Sequence, residues 1–294
     1  MVAVTGATGW VGRAACEVLA REYAETRIVP FASSAKTLVL QDGVSLAVRP
    51  LDELPDTPHD VLLHFAYVTR EFLDRVGADA YIAANAAITA VVRAAIDRVR
   101  PRAVLHASSG AAASAGSDLM ADPYAVLKRM DEDTLRTASR DAGARIVTMR
   151  IFNLAGPWMA KRGFAIGSLV DQLGAGGPVT IHAQHPVLRS YTDVEDAVRV
   201  AIGACGAPDL DDDLRLETGG ETIELSALAT RAAAALGLAE PEIHRTWDPL
   251  APPDAYLGDR GAFEAVASKL GIPLHDLDAQ IRRTALSPTE PVTT

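Results

Sequence analysis

Cysteine is nearly absent from this chain: Cys16 and Cys205 are the only two in 294 residues. Two distant thiols exclude a disulfide framework and fit a reducing compartment. Cys16 falls inside the first helical stretch, where a small buried apolar role is expected. Long hydrophobic runs are missing as well, so no membrane span is expected. No charged-then-apolar leader precedes Val2, which argues against a secretory signal and for a cytoplasmic protein. Positive charge is in deficit, with 28 Lys+Arg against 38 Asp+Glu and a net charge of −10. That balance disfavours nucleic acid as a partner and suits a soluble, self-repelling monomer or small oligomer. The acid run from Asp209 to Asp213 reads as a solvated loop. There is no internal repeat, no metal site is expected, and only the tail after Leu286 has the character of a disordered end.

What is present is an alternation of short apolar runs with helix-period stretches, the pattern of a parallel sheet wrapped by helices. Strands are expected at Val2-Thr5, Arg27-Phe31, Ser45-Val48, Val61-Phe65, Ala103-Ala107 and Arg145-Arg150. Helices are expected at Gly12-Glu22, Ala78-Val99 and Pro123-Asp141. The last is clearly punctuated, because Asp122 can cap it and Pro123 suits the first helical position. From Trp158 onward Gly and Pro become frequent and the signals shorten. A helix over Asp193-Ala204, a strand over Leu214-Thr218 and an Ala-rich helix over Ser226-Leu236 are expected there. The fold class is therefore α/β, a Rossmann-type doubly wound parallel sheet with a smaller C-terminal α/β lobe. The sheet domain should cover 1–157, with 187–205 returning to it, and the smaller lobe 158–294. Trp158, Met159 and Phe164 could line a pocket, but packing is the simpler role for each.

The first strand runs straight into Thr5-Gly6-Ala7-Thr8-Gly9-Trp10-Val11-Gly12 and then a helix. Glycines here let the backbone turn tightly and approach a pyrophosphate, and the third lets helix and strand pack closely. The helix N-terminus offers N–H groups and partial positive charge to phosphates. Gly6, Thr8, Gly9, Trp10 and Val11 are accordingly the candidate cofactor contacts of this loop, although the spacing is G-x-x-G-x-x-G rather than the commonest fingerprint. An acid at the end of the second strand would bond the ribose 2′-hydroxyl of NAD. The chain instead reads Ala32-Ser33-Ser34-Ala35-Lys36. Either Ser33, Ser34 and Lys36 receive the 2′-phosphate of NADP, the favoured cofactor with NAD as the alternative, or they form an ordinary turn with a solvated lysine.

Tyr124 and Lys128 lie four apart on the third helix and so share one face. An ammonium held there favours tyrosinate and makes the phenol a usable proton donor and acceptor.

With these motifs in order, the chain resembles the extended short-chain dehydrogenase/reductase superfamily, in its NAD(P)-dependent sugar-nucleotide epimerase, dehydratase and ketoreductase branch. The resemblance runs nearly end to end: Thr5 to Gly12, His64-Phe65-Ala66, Asn85, Ser108-Ser109-Gly110, and Tyr124 to Lys128 with Glu132. It continues through Arg150-Ile151-Phe152-Asn153-Leu154-Ala155-Gly156-Pro157 and Arg189-Ser190-Tyr191-Thr192-Asp193-Val194-Glu195-Asp196. The resemblance implies Tyr124 as proton donor and acceptor, Lys128 as its partner and a nicotinamide-ribose ligand, and Ser109, with Ser108 as fallback, holding the substrate oxygen. It further implies Asp52 near the adenine, Phe65 and Ala66 beside the cofactor, and Asn153 and Arg189 on the diphosphate of a nucleotide-sugar substrate. Asn153 could instead satisfy backbone groups, Arg189 could pair with Asp193, and His64 reads as a packed strand-end residue.

Ser109 and Tyr124 are 15 positions apart (124 − 109), shorter than the family usually shows, and Ala111-Ala112-Ala113-Ser114 replaces its usual V-Y-G. Dehydratases of the family carry an acid pair directly after the serine or threonine, where this chain has Gly110 and Ala111. An NADP(H)-dependent reductase of a keto group on a nucleotide-linked (deoxy)sugar is therefore expected, with an NAD-dependent epimerase as the alternative and a non-catalytic dinucleotide sensor behind both. The helices over Ala78-Val99 and Pro123-Asp141 resemble the pair that builds the family's homodimer.

Overall fold

The computed structural model describes residues 1–159, 164–248 and 250–286. Two compact units are present, one of Met1–Ile151 with Val198–Leu216, the other of Phe152–Ala197 with the described residues from Glu217 onward. In chain order the first unit opens with β1 (Val2–Thr5), α1 (Trp10–Glu22), β2 (Ile28–Ala32), β3 (Lys36–Val39), β4 (Ser45–Pro50) and β5 (Val61–His64). It continues with α2 (Leu73–Val76), α3 (Ala78–Val99), β6 (Ala103–Ser109), α4 (Pro123–Ala142) and β7 (Arg145–Ile151). There follow β8 (Asn153–Ala155), α5 (Ala165–Ala175), β9 (Val179–Thr180), β10 (Val187–Asp193), α6 (Val194–Gly206) and β11 (Asp213–Glu217). The chain ends with β12 (Thr222–Glu224), α7 (Leu225–Ala235), β13 (Ile243–His244), β14 (Asp254–Tyr256), α8 (Arg260–Lys269) and α9 (Leu277–Ala285).

The first unit is an eight-stranded sheet in the order β11-β7-β6-β5-β1-β2-β4-β3. β1 pairs in parallel with β2 on one side and with β5 on the other. The chain winds outward through β2 and β4, then crosses back to begin β5, so the strand order reverses between β1 and β5. Ligands of such sheets bind at the strand ends beside that reversal. The apolar runs of β1, β2, β5 and β6 supply Ala3, Phe31, Leu62 and Val104 to one core cluster, joined by Val92, Ala95 and Ile96 of α3 and Leu135 and Ala138 of α4.

Three sequence expectations shift here. β3 was unforeseen: it pairs antiparallel with β4, so Lys36 opens a strand opposite Val48 instead of ending a loop. Its sequence, Lys-Thr-Leu-Val, is too short and mixed to announce a strand, and the pairing supplies what propensity does not. The returning segment is 198–216, beginning within α6, while β10 pairs with β8, β12 and β14 of the second unit. Lastly, α3, at 22 residues, is long and apolar enough by composition to cross a membrane. One of its faces, carrying Tyr81, Asn85, Thr89, Val92, Ala95 and Ile96, is buried in this unit, which accounts for part of that apolar character.

In the second unit, β12-β10-β14 form a sheet to which β8 adds by pairing with β10, and β9 and β13 form a separate pair. Trp158 and Met159 are buried, as packing residues should be, while Phe164 is exposed. Both cysteines are buried and burial pushes each thiol up to about 12, so neither is reactive. The tail beyond Leu286, and Pro249, lie outside the described residues.

Candidate active site

The site assembles on the first unit at the C-terminal ends of β1, β5 and β6. Gly6 leaves β1 with φ +66°, and a Cβ there would lie 2.7 Å from the backbone of Phe65 and Ala66, the residues leaving β5. Only glycine tolerates both the conformation and the approach. Gly12 is tighter still, since a Cβ would stand 2.1 Å from the Gly6 carbonyl oxygen. Gly6 and Gly12 are therefore packed against protein backbone, and α1 starts directly over the loop. Its N-cap, Gly9, contributes no side chain and its first turn has no acid. A helix start of this kind suits the phosphates of a dinucleotide.

Thr5 fixes the neighbouring loop. Its hydroxyl accepts N–H bonds from Phe65 and Ala66 (3.2 Å each) and meets Nδ1 of His64 at 2.8 Å. With two donors already served, the hydroxyl proton goes to Nδ1, which assigns the His64 proton to Nε2. His64 stacks on His106, with ring centroids 5.5 Å apart. Burial, aided by the nearby Lys128, pushes His64 down to about 3. His106 is fully buried and, among the described residues, neither ring nitrogen is hydrogen-bonded; burial, then His64 and Lys128, hold it well below the usual histidine range. His64 is thus a packed strand-end residue.

The neutral pair has a thermodynamic consequence. Both histidines have folded values depressed below the unfolded value of 6.5, so the unfolded chain takes up protons that the folded one refuses. Their contribution is complete above that value and drains away as pH falls below it, for His64 down toward about 3, at up to about 1.4 kcal/mol per pH unit for each. Urea unfolding between pH 7.5 and 5 should show this loss, and His106→Leu should be more stable than the parent with a shallower slope. An unchanged slope would contradict the assignment.

α4 carries the two central side chains. The Asp122 carboxylate caps it by accepting the Ala125 N–H at 3.2 Å, with Pro123 in the first turn, as expected from the sequence. Arg129 pins the preceding loop by donating to the Ala115 and Gly116 carbonyls. Lys128 is only 6% exposed, and its ammonium donates to the Ala107 carbonyl at 3.0 Å, at the end of β6. Burial brings it down to about 8, with Asp131 and Glu132 opposing the fall. Tyr124, one turn earlier, is half-buried; Arg70 lies over its ring at 5.9 Å and Tyr67 meets it edge-on at 6.0 Å.

Ser108 and Ser109 point to opposite sides of β6, as consecutive strand residues must. The Ser108 hydroxyl donates to Glu132 at 2.6 Å, and Glu132 is gripped by the two-pronged Arg150 at 2.9 and 2.8 Å. Burial pushes Glu132 up, but Arg150 and Ser108 outweigh it and hold the carboxyl below its usual range. Ser108 is therefore committed to this buried network. Ser109 sits at the strand end, where its oxygen accepts the Ala111 N–H at 3.2 Å and caps a short 3-10 turn through Gly110–Ser114.

The other predicted residues have the following surroundings. Ser33 and Ser34 are exposed in the link between β2 and β3, Lys36 is half-buried, and Asp52 is exposed in the turn after β4. In the second unit, Asn153 spends its amide N–H groups on the carbonyls of Ser190 and Tyr256 (3.0 Å each). Arg189 pairs with Asp254 at 2.7 Å, whereas Asp193 pairs with Arg283 at 2.7 Å, so the expected alternative partner of Arg189 is replaced. Asp193, Asp196 and His275 bring ligand-type atoms within 4.8 Å of one another, but Arg283 already neutralises Asp193, and His275 donates its backbone N–H to Asp196 at 2.7 Å.

Sequence reasoning passed over Tyr67, Tyr81 and Arg70. Tyr67 follows His64-Phe65-Ala66 directly, and its adjacency to that motif was the available signal.

The profile described as the NAD dependent epimerase/dehydratase family matches residues 2–215. Similar solved structures include MoeE5 in complex with UDP-glucose and NAD, at 21% identity and TM-score 0.73 over 97% of each chain. UDP-glucose 4-epimerase from Brucella ovis in complex with NAD gives 20% identity and 0.75 over 97% of each chain. TunA, an NAD dependent NDP-hexosamine 5,6-dehydratase involved in tunicamycin biosynthesis, gives 16% and 0.73 over 97% of this chain and 96% of its own. No curated protein matches the sequence. With a family profile spanning most of its length, and the glycine loop, Tyr124 and Lys128 gathered at the C-terminal ends of the central strands, the chain belongs to the NAD dependent epimerase/dehydratase family of enzymes.

Proposed function

We propose that the enzyme reduces a keto group on a nucleotide-linked (deoxy)sugar, with NADP(H) as its cofactor. The observation that carries the cofactor choice is the acid-free end of β2, where exposed Ser33 and Ser34 precede half-buried Lys36. Hydroxyls and a lysine suit a 2′-phosphate, and a carboxylate would repel it. Gly6, Thr8, Gly9, Trp10 and Val11 would hold the pyrophosphate, with Asp52 toward the adenine and Phe65 and Ala66 beside the cofactor. When bound, the nicotinamide supplies hydride to the carbonyl carbon. The chain's own part is acid–base and electrostatic. Tyr124 gives its phenolic proton to the carbonyl oxygen as negative charge builds there, and the Ser109 hydroxyl donates a hydrogen bond to the same oxygen. Lys128 keeps positive charge beside the phenol and offers an N–H to the ribose. Arg189 is the proposed contact of the substrate's diphosphate; Asn153, whose amide N–H groups are spent on the carbonyls of Ser190 and Tyr256, does not take that role.

An NAD-dependent epimerase is the second reading, favoured by the NAD in the MoeE5 and Brucella ovis structures. A panel of 4-keto nucleotide sugars with NADPH and with NADH, followed by absorbance, separates the two. The reductase reading expects consumption of NADPH in preference to NADH. Protein that retains NAD through gel filtration and consumes neither would establish the epimerase instead. A homodimer through α3 and α4 is proposed, since Ala80, Ala83, Ala86, Ala87 and Ala90 are exposed along α3.

A further inference from the structure

Lys128 is a buried cation with an unusual set of neighbours. Among the described residues its ammonium forms one hydrogen bond, to Ala107, and no ion pair. What faces it instead is the ring of Tyr67, whose centroid lies 3.6 Å from Nζ. That ring is braced in turn by edge contacts with Tyr81 at 6.4 Å and Tyr124 at 6.0 Å. Its loop is clamped by Asn85, which accepts the Val68 N–H at 2.9 Å and donates to the Val68 and Tyr81 carbonyls. Among the described residues the buried Tyr67 hydroxyl makes no hydrogen bond of good geometry, and it is the ring that meets the ammonium.

We propose that Tyr67 is a positioning residue for Lys128: its ring face holds the ammonium at the end of β6, one helical turn from Tyr124. The π-face is negative, so a cation out of water gains more from it than an exposed one does. An ammonium with a single carbonyl partner would otherwise turn away or shed its proton. The groups facing it are Asp131 and Glu132 of α4, His64 of β5, His106 of β6, and Tyr67 itself. The two histidines are neutral and the two acids do not touch it, which leaves the ring as the closest stabiliser besides Ala107. Asn85 acquires a role by the same argument, as the residue that fixes the loop presenting the ring.

This inference rests on Lys128 being the working partner of Tyr124, and its test reads the lysine directly, without turnover. The chain has four lysines, Lys36, Lys128, Lys161 and Lys269, few enough to resolve by NMR of ε-carbon-labelled protein. Tyr67→Phe should leave the Lys128 titration midpoint in place and activity near the parent's. Tyr67→Leu should lower that midpoint by about one pH unit, and kcat should fall more than substrate KM changes. If Tyr67→Leu does not fold, phenylalanines of increasing fluorination at position 67 keep the shape while weakening the π-face, and the midpoint should fall stepwise. A midpoint unmoved by Tyr67→Leu or by fluorination, or one that drops as far in Tyr67→Phe, overturns the proposal. A shifted midpoint in a protein without reductase activity would uphold the ring's role and reject the proposed reaction.

Discussion

Tyr124→Phe should lower turnover by about 10²–10⁴-fold, the usual contribution of a positioned general acid, and leave cofactor affinity near that of the parent. The substitution removes one oxygen and keeps a half-buried ring that meets Arg70 across its face and Tyr67 edge-on. Packing is therefore preserved, and thermal unfolding should move little. The pH profile adds a second handle. Lys128 loses its charge near pH 8, and reduction also needs the phenol protonated. Both conditions fail on the alkaline side, so kcat/KM for reduction should be flat below about pH 8 and fall above it. Steady-state rates across pH 6–10, beside fluorescence titration of the dinucleotide, check both parts. A variant that keeps full activity removes Tyr124 from the chemistry.

Gly12→Ala should be severely damaging for a single added methyl. The new carbon would stand 2.1 Å from the Gly6 carbonyl oxygen, 2.7 Å from its carbon and 3.0 Å from the Ala7 Cα, all backbone atoms that cannot rotate aside. Either α1 moves off the loop or the loop moves off β1, and each outcome spoils the helix start offered to phosphates. Overpacking of this kind costs about 1–3 kcal/mol or more, and dinucleotide affinity should fall by over about tenfold, a loss of roughly 1.4 kcal/mol. Gly116→Ala is the matched control, because a Cβ there meets nothing within 4 Å. Comparable melting temperatures and cofactor affinities for the two variants would contradict the packing role of Gly12.

Much of this architecture was legible because local and global signals agree. β1 and α3 begin and end where their patterns say, and Asp122-Pro123 announces α4 to the residue. What was illegible depends on partners distant in sequence. β3 exists through its pairing with β4, and β8, β12 and β14 through theirs with β10, so short polar strands gave no periodicity to read. The site shows the same division. The spacing of Tyr124 and Lys128 placed them on one helix face, yet it could not show that a ring from the loop after β5 would cover the lysine. Ser108 and Ser109 were equivalent as letters. Only the alternation of β6, together with the position of Glu132 and Arg150, sends one into a buried network and leaves the other at the strand end.

The most direct test of the central claim is isotopic. NADPH carrying deuterium at both C4 positions of the nicotinamide, given to the enzyme with a keto nucleotide sugar, should yield a reduced sugar with one deuterium on the former carbonyl carbon, and Tyr124→Phe should yield almost none. A reduced product free of the label, or equal labelled product from Tyr124→Phe, would contradict hydride transfer completed by that phenol.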